Sequence, residues 1–192
     1  MKILKTFEKF NQQIILPNQI SIGDFVDRLN EKSRLSIDKE TIVDWWENNL
    51  RSIKIHYFPF KVNQIMGCFL PGNIVCINST TYSQSDTKLF ISLHESKHVL
   101  QDKDDTMKEK YFRTVLNGDK KEFLINYRIL ENEANTFAIN ACKEMGFNNI
   151  VSSETRLRMN ESMGELVYSM MKNDIEKTGS TELHELLLSQ IL

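Results

Sequence analysis

The run "LFISLHESKHVLQD", Leu89 to Asp102, sets two histidines four residues apart with a glutamate directly after the first. On a helix, a four-residue step turns the chain through about 400°, so His94 and His98 project about 40° apart on one face. Imidazoles stacked in this way can grip one metal ion. Glu95 stands about 60° from His98 toward the same side. The pattern is H-E-x-x-H, two zinc ligands and a carboxylate positioned as general base for a metal-activated water.

Two histidines do not complete such a site, because catalytic zinc usually takes three protein ligands and keeps one position open. The third ligand must come from elsewhere in the chain. On a helical wheel, "YRILENEANTFAINAC" and its flanks place Leu124, Tyr127, Leu130, Ala134, Ala138, Ala141, Cys142 and Met145 in one apolar stripe. Glu131 falls inside that stripe, whereas Glu133 lies about 115° from its centre. A carboxylate facing the core is costly unless it is paired, hydrogen-bonded or bound to a metal. Geometry alone leaves Glu131 three roles: metal ligand, partner of a buried Arg or Lys, or residue at the rim of the stripe. The small Ala134 and Ala138 beside it would let two helices approach closely. Asn135, one turn past Glu131, could orient a ligand by hydrogen bonding or simply pack the helix. Cys142 shares a side with Glu131, but eleven residues of helix separate them by about 16 Å, which makes it a core residue.

These residues need elements to hold them. Two N-terminal helices are expected, around Ile22 to Lys32 and Asp38 to Leu50, with Trp45 and Trp46 anchoring the second against the core. A helix-turn-helix reading of this pair fails on charge, since "DFVDRLNEKSRLSIDKETIVDWWE" holds more acids than bases. "SIKIHYF" alternates with period two and reads as a strand. "QIMGCFLPGNIVCIN" reads as two strands joined at Pro71-Gly72, with glycine at the positive-φ position of a type II turn. Ser83 with Asp86 is a capping box that starts the histidine helix. A short helix ends near Asn117-Gly118, Asp119 with Glu122 opens the next, and Gly146 stops it. Two amphipathic helices follow, about Ser153 to Lys177 and Thr181 to Ile191.

The order argues an α+β fold, mostly helical, with a small antiparallel three-stranded sheet ahead of the H-E-x-x-H helix. The 192 residues suit a single domain. Its parts are an N-terminal helical segment over 1–51, a catalytic core over 52–146 and C-terminal helices over 147–192. A hydrophobic fraction of 41% is enough to bury a core. A net charge of -2 provides no field for nucleic acid or an anionic membrane. Cys68, Cys76 and Cys142 form no C-x-x-C pair, so neither a disulfide framework nor a cysteine zinc site is expected. "MKILKTFEKFNQQIILP" is too broken by charge for a signal peptide, and no stretch is long enough to span a bilayer. A reduced, cytoplasmic protein is the expectation.

Three blocks in order, "GCFLPGNIVCINS", "LFISLHESKHVL" and "LENEANTFAINA", resemble the ImmA/IrrE family of metallopeptidases, over roughly Ile53 to Met145. The resemblance implies a zincin-like fold and a gluzincin-like site holding one zinc ion. His94, His98 and Glu131 would be its ligands and Glu95 the general base. It also implies a protein substrate, such as a helix-turn-helix repressor that the enzyme cleaves. The alternative is a zinc-bearing protein that sequesters a regulator without cutting it. Two features depart from the family pattern. Lys97 stands where glycine usually precedes the second histidine, and "INACKEMGF" replaces a leucine-rich run ending in Met-Pro. Tyr82, His56 and His184 are candidate oxyanion donors, and the strand Gln64 to Leu70 a candidate edge for an added substrate strand.

Overall fold

The computed structural model describes residues 16–31, 38–80, 85–103, 113–147, 153–178 and 191–192. The chain begins there with a two-residue strand, β1 (Gln19–Ile20), and the helices α1 (Ile22–Glu31) and α2 (Lys39–Asn49). Ser21 starts α1 by accepting from the Asp24 backbone N–H at 3.0 Å. Asp38 caps α2, accepting from the backbone N–H of Glu40 at 3.1 Å and the Thr41 hydroxyl at 2.7 Å. Trp46 is buried, while Trp45 tilts against Phe137 and donates its indole N–H to Glu144 at 2.7 Å. The tryptophan pair thus ties α2 to a helix almost a hundred residues later.

Three strands follow: β2 (Lys54–Phe58), β3 (Gly67–Leu70) and β4 (Ile74–Asn78). The hairpin at Pro71-Gly72 forms as expected, with Leu70 paired to Ile74 and both Gly72 and Asn73 at positive φ. The sheet, however, has four strands in the order β1-β2-β4-β3 and is mixed, not three-stranded and antiparallel. β2 and β4 run parallel, because the chain leaving β2 passes to the far edge, forms β3, and returns as β4 between them. Asn78 secures that passage. Its side chain accepts from Phe60 and Thr80 backbone N–H groups and donates to the Ile65 carbonyl. The strand expected from the alternation in "SIKIHYF" forms as β2, and both its faces are buried: His56 and Phe58 as well as Ile55 and Tyr57. A second apolar cluster of Phe58, Phe60, Cys68, Leu70, Cys76 and Ile191 covers the other face of the sheet.

The histidine helix α3 (Ser85–Gln101) lies with the sheet on one side and α4 (Lys120–Glu144) on the other. Leu89, Leu93, Ser92, Ser96 and Val99 are all buried, and both serines satisfy their hydroxyls on backbone carbonyls one turn back. Asp119 caps α4 through the Glu122 N–H at 2.9 Å. Gly118 and Gly146, both at positive φ, stand where the preceding helical segments stop. Ala134, Ala138 and Ala141 are buried, the last two in the common core, and such small side chains let α3 and α4 approach. The helix α5 (Ser153–Thr178) packs Tyr168 and Met171 on Phe123 of α4. Among the described residues, no helix is long and apolar enough to cross a membrane. The expected Ser83–Asp86 cap and most of the Thr181–Ile191 helix lie outside the described residues.

Candidate metal centre

The site forms where the second half of α3 meets the middle of α4. Nε2 of His94 and Nε2 of His98 lie 3.0 Å apart. One oxygen of Glu131 is 3.3 Å from the first and the other is 3.4 Å from the second. These three side chains are between 11% and 14% exposed, and among the described residues they are the group able to hold a metal ion. Glu131 is thus turned into the contact between the helices, while Glu133 is exposed. Among the described residues, the ion-pair partners of Glu131 are the two imidazoles.

The outer nitrogens decide what the inner ones can do. His94 Nδ1 meets the side-chain oxygen of Asn135 at 3.0 Å, and His98 Nδ1 meets that of Gln101 at 2.7 Å. An amide oxygen only accepts, so each Nδ1 must carry its proton and donate. In the neutral rings both Nε2 atoms are then bare lone pairs, facing each other beside a carboxylate. Such a convergence of acceptors is unfavourable without a proton or a cation at its centre. A divalent ion fits: two nitrogens on one tetrahedral zinc sit about 3.3 Å apart at zinc–nitrogen lengths of about 2.0 Å. The donor set of two imidazoles and one carboxylate suits a divalent metal ion.

The cluster's electrostatics follow the same logic. For Glu131, burial favours the neutral acid; where protons on the two Nε2 atoms take the place of a cation, hydrogen bonds and charge from His94 and His98 overcome it and hold the carboxyl well below the usual range. For His98, burial opposes the charged ring, and the hydrogen bond and charge of Glu131 outweigh it, so its pKa is raised. Glu95 is shifted the other way. Desolvation raises its pKa against the pull of His94 and His98, and Glu131 adds to the rise. Glu95 lies toward β3: a methyl group placed on Gly67 would come within 3.2 Å of Glu95 Cγ.

Of the other residues singled out in the sequence, His56 stands apart, with Nδ1 donating to the Pro17 carbonyl at 3.1 Å. Tyr82 and His184 lie outside the described residues. Lys97 lines an open groove of about 490 Å³ between α3 and α4, with Ile129, Glu133 and Phe137 among its neighbours. Cys68, Cys76 and Cys142 are buried free thiols. β3 is an edge strand with β4 as its partner in the sheet. Gln101 went unnoticed in the sequence, although its place three residues after His98 puts it on the same helix face. Phe69 was missed as well; its ring lies 5.6 Å from that of His98 and walls the site from the sheet side. No family model, curated protein or solved structure matches the chain.

Proposed function

We propose that this chain is a zinc-dependent endopeptidase of the ImmA/IrrE kind, acting in the cytoplasm on a regulatory protein such as a helix-turn-helix repressor. The single observation that carries the reading is the convergence of two imidazole nitrogens, 3.0 Å apart, on the buried carboxylate of Glu131. His94, His98 and Glu131 would hold the ion, and Asn135 would fix the His94 ring. A bound zinc ion supplies Lewis acidity and a water acidic enough to serve as nucleophile near neutral pH.

The chain's own residues supply the rest. Glu95 follows the first ligand directly, and its desolvated carboxyl has a raised proton affinity. That suits a group that takes a proton from the attacking water and returns it to the leaving amine. Phe69 and the packed helices keep bulk water from one side of the site. β3 stands at the edge of the sheet among the described residues, and an extended substrate segment could add there as a strand.

The test is metal analysis of the purified protein together with Glu95→Gln. One zinc per chain is expected, lost on His94→Ala. Glu95→Gln should keep the zinc and reduce cleavage of a candidate repressor by about 10²- to 10⁴-fold, the usual worth of general acid–base catalysis. Activity on the regulator that survives Glu95→Gln intact would point instead to binding without cutting.

A further inference from the structure

We propose that Gln101 is a positioning residue of the metal centre: together with Glu133 it dictates which nitrogen of His98 carries the proton, and so keeps Nε2 bare for the cation. This rests on the reading of His94, His98 and Glu131 as metal ligands. His98 sits in the last turn of α3, where a helix frays for want of intrahelical partners. Gln101 is the final residue of that helix.

Its carboxamide is engaged at both ends. The oxygen accepts from His98 Nδ1 at 2.7 Å. The NH₂ group donates to the Leu130 carbonyl at 3.1 Å and to a Glu133 carboxylate oxygen at 3.0 Å. The two ends of an amide have nearly the same shape, so its orientation is chosen by its partners. Turned around, the oxygen of Gln101 would face two acceptors on α4, and its NH₂ would face His98 Nδ1. The ring would then have to accept at Nδ1 and place its proton on Nε2, against the histidine and glutamate it must share an ion with. Leu130 and Glu133 therefore set the amide, the amide sets the imidazole, and the imidazole presents its lone pair to Glu131.

The same bonds tie the end of α3 to α4 on either side of Glu131, which fixes the helix register at the third ligand. This gives Glu133, which projects away from the apolar stripe, a definite task. His94 is served differently, since Asn135 reaches its Nδ1 directly from α4.

The experiment combines zinc titration of the full chain with nitrogen NMR of the histidine tautomers in the metal-free protein at alkaline pH. Gln101→Met keeps the length of the side chain and removes both hydrogen-bonding ends. Zinc affinity is expected to fall about 10- to 100-fold, the usual cost of losing an outer-sphere partner, and His98 should lose its preference for Nδ1–H. The pair Gln101→Glu with Glu133→Gln, which restores an acceptor for Nδ1–H and a donor to hold it, should recover affinity to within a few-fold of wild type. A packing role alone would leave Gln101→Met at wild-type affinity, and that result overturns the proposal. So does an Nε2–H tautomer for His98 in the unmodified metal-free chain, a measurement that needs no variant to fold. If the unmodified chain takes up no zinc, the metal reading and this role fall together; if it does, and Gln101→Met binds equally well, this role alone is overturned.

Discussion

Gly67→Ala probes the joint between sheet and helix on which the metal centre is built. A methyl group at this position of β3 would sit 2.5 Å from Ile91 Cγ2, 3.2 Å from Glu95 Cγ and 3.3 Å from Ile77 Cδ1. Carbon atoms rest at about 3.5–4.0 Å, so the worst of these contacts is short by about 1 Å. Cγ2 is bonded directly to the branched β-carbon of Ile91, and a β-branched side chain in a helix has one strongly preferred χ1. Ile91 cannot swing aside cheaply, and the remaining response is to lift β3 from α3. Overpacking of this kind costs about 1–3 kcal/mol. For a chain of this size each kcal/mol lowers Tm by about 2–4 °C, so a fall of several degrees is expected by circular dichroism on chelator-treated protein. Ile91→Ala removes the clashing methyl, so the double variant should be less destabilised than the two single variants added together. Their coupling should be about 1 kcal/mol or more, within the usual range for residues in contact. A Gly67→Ala protein that melts with the wild type, or strictly additive effects in the cycle, would refute the close approach of β3 to the helix that carries Glu95.

Three further outcomes follow from the same coordinates. Zinc present at about a thousand times its Kd should stabilise the fold by about 4 kcal/mol, and in thermal melts that gain should vanish with a chelator and be absent in Glu131→Gln. His56 is buried against the Pro17 carbonyl, and desolvation lowers its pKa from the usual 6.5 despite that hydrogen bond, with Lys54 lowering it further. Below about pH 6.5 the unfolded chain therefore binds a proton that the folded one resists, so His56 makes stability fall as pH drops through that window and leaves it unaffected above. Urea midpoints at neutral and mildly acidic pH should differ less in His56→Gln than in wild type. Trp45→Phe keeps a ring against Phe137 but deletes the donor to Glu144, and should cost about 1 kcal/mol in urea unfolding; no loss would mean that this bond contributes nothing to docking α2.

Much of the site's chemistry was readable as spacing. A four-residue step on a helix must bring His94 and His98 to one side, and a wheel separates Glu131 from Glu133 because helix geometry is local and regular. The helix stops at Gly118 and Gly146 and the cap at Asp119 were equally legible, each depending on a few neighbouring residues. What stayed hidden depends on partners far along the chain. β1 is two residues long and carries no periodicity, and the parallel pairing of β2 with β4 is decided by where the connecting segment crosses. The period-two pattern of β2 marks a strand but does not show that both its faces are covered, one of them by the cluster around Phe58 and Ile191.

Residue types and their intervals alone thus determined which side chains could act together, because rotation per residue in a helix does not depend on the rest of the molecule. Only the tertiary structure decided how they meet: Glu131 between two imidazoles, Asn135 and Gln101 on the outer nitrogens, Gly67 giving Glu95 its place beside the sheet. Those contacts join α3 to α4 and β3, and the distance between elements is set by the volumes packed between them, a quantity that no local stretch of sequence contains.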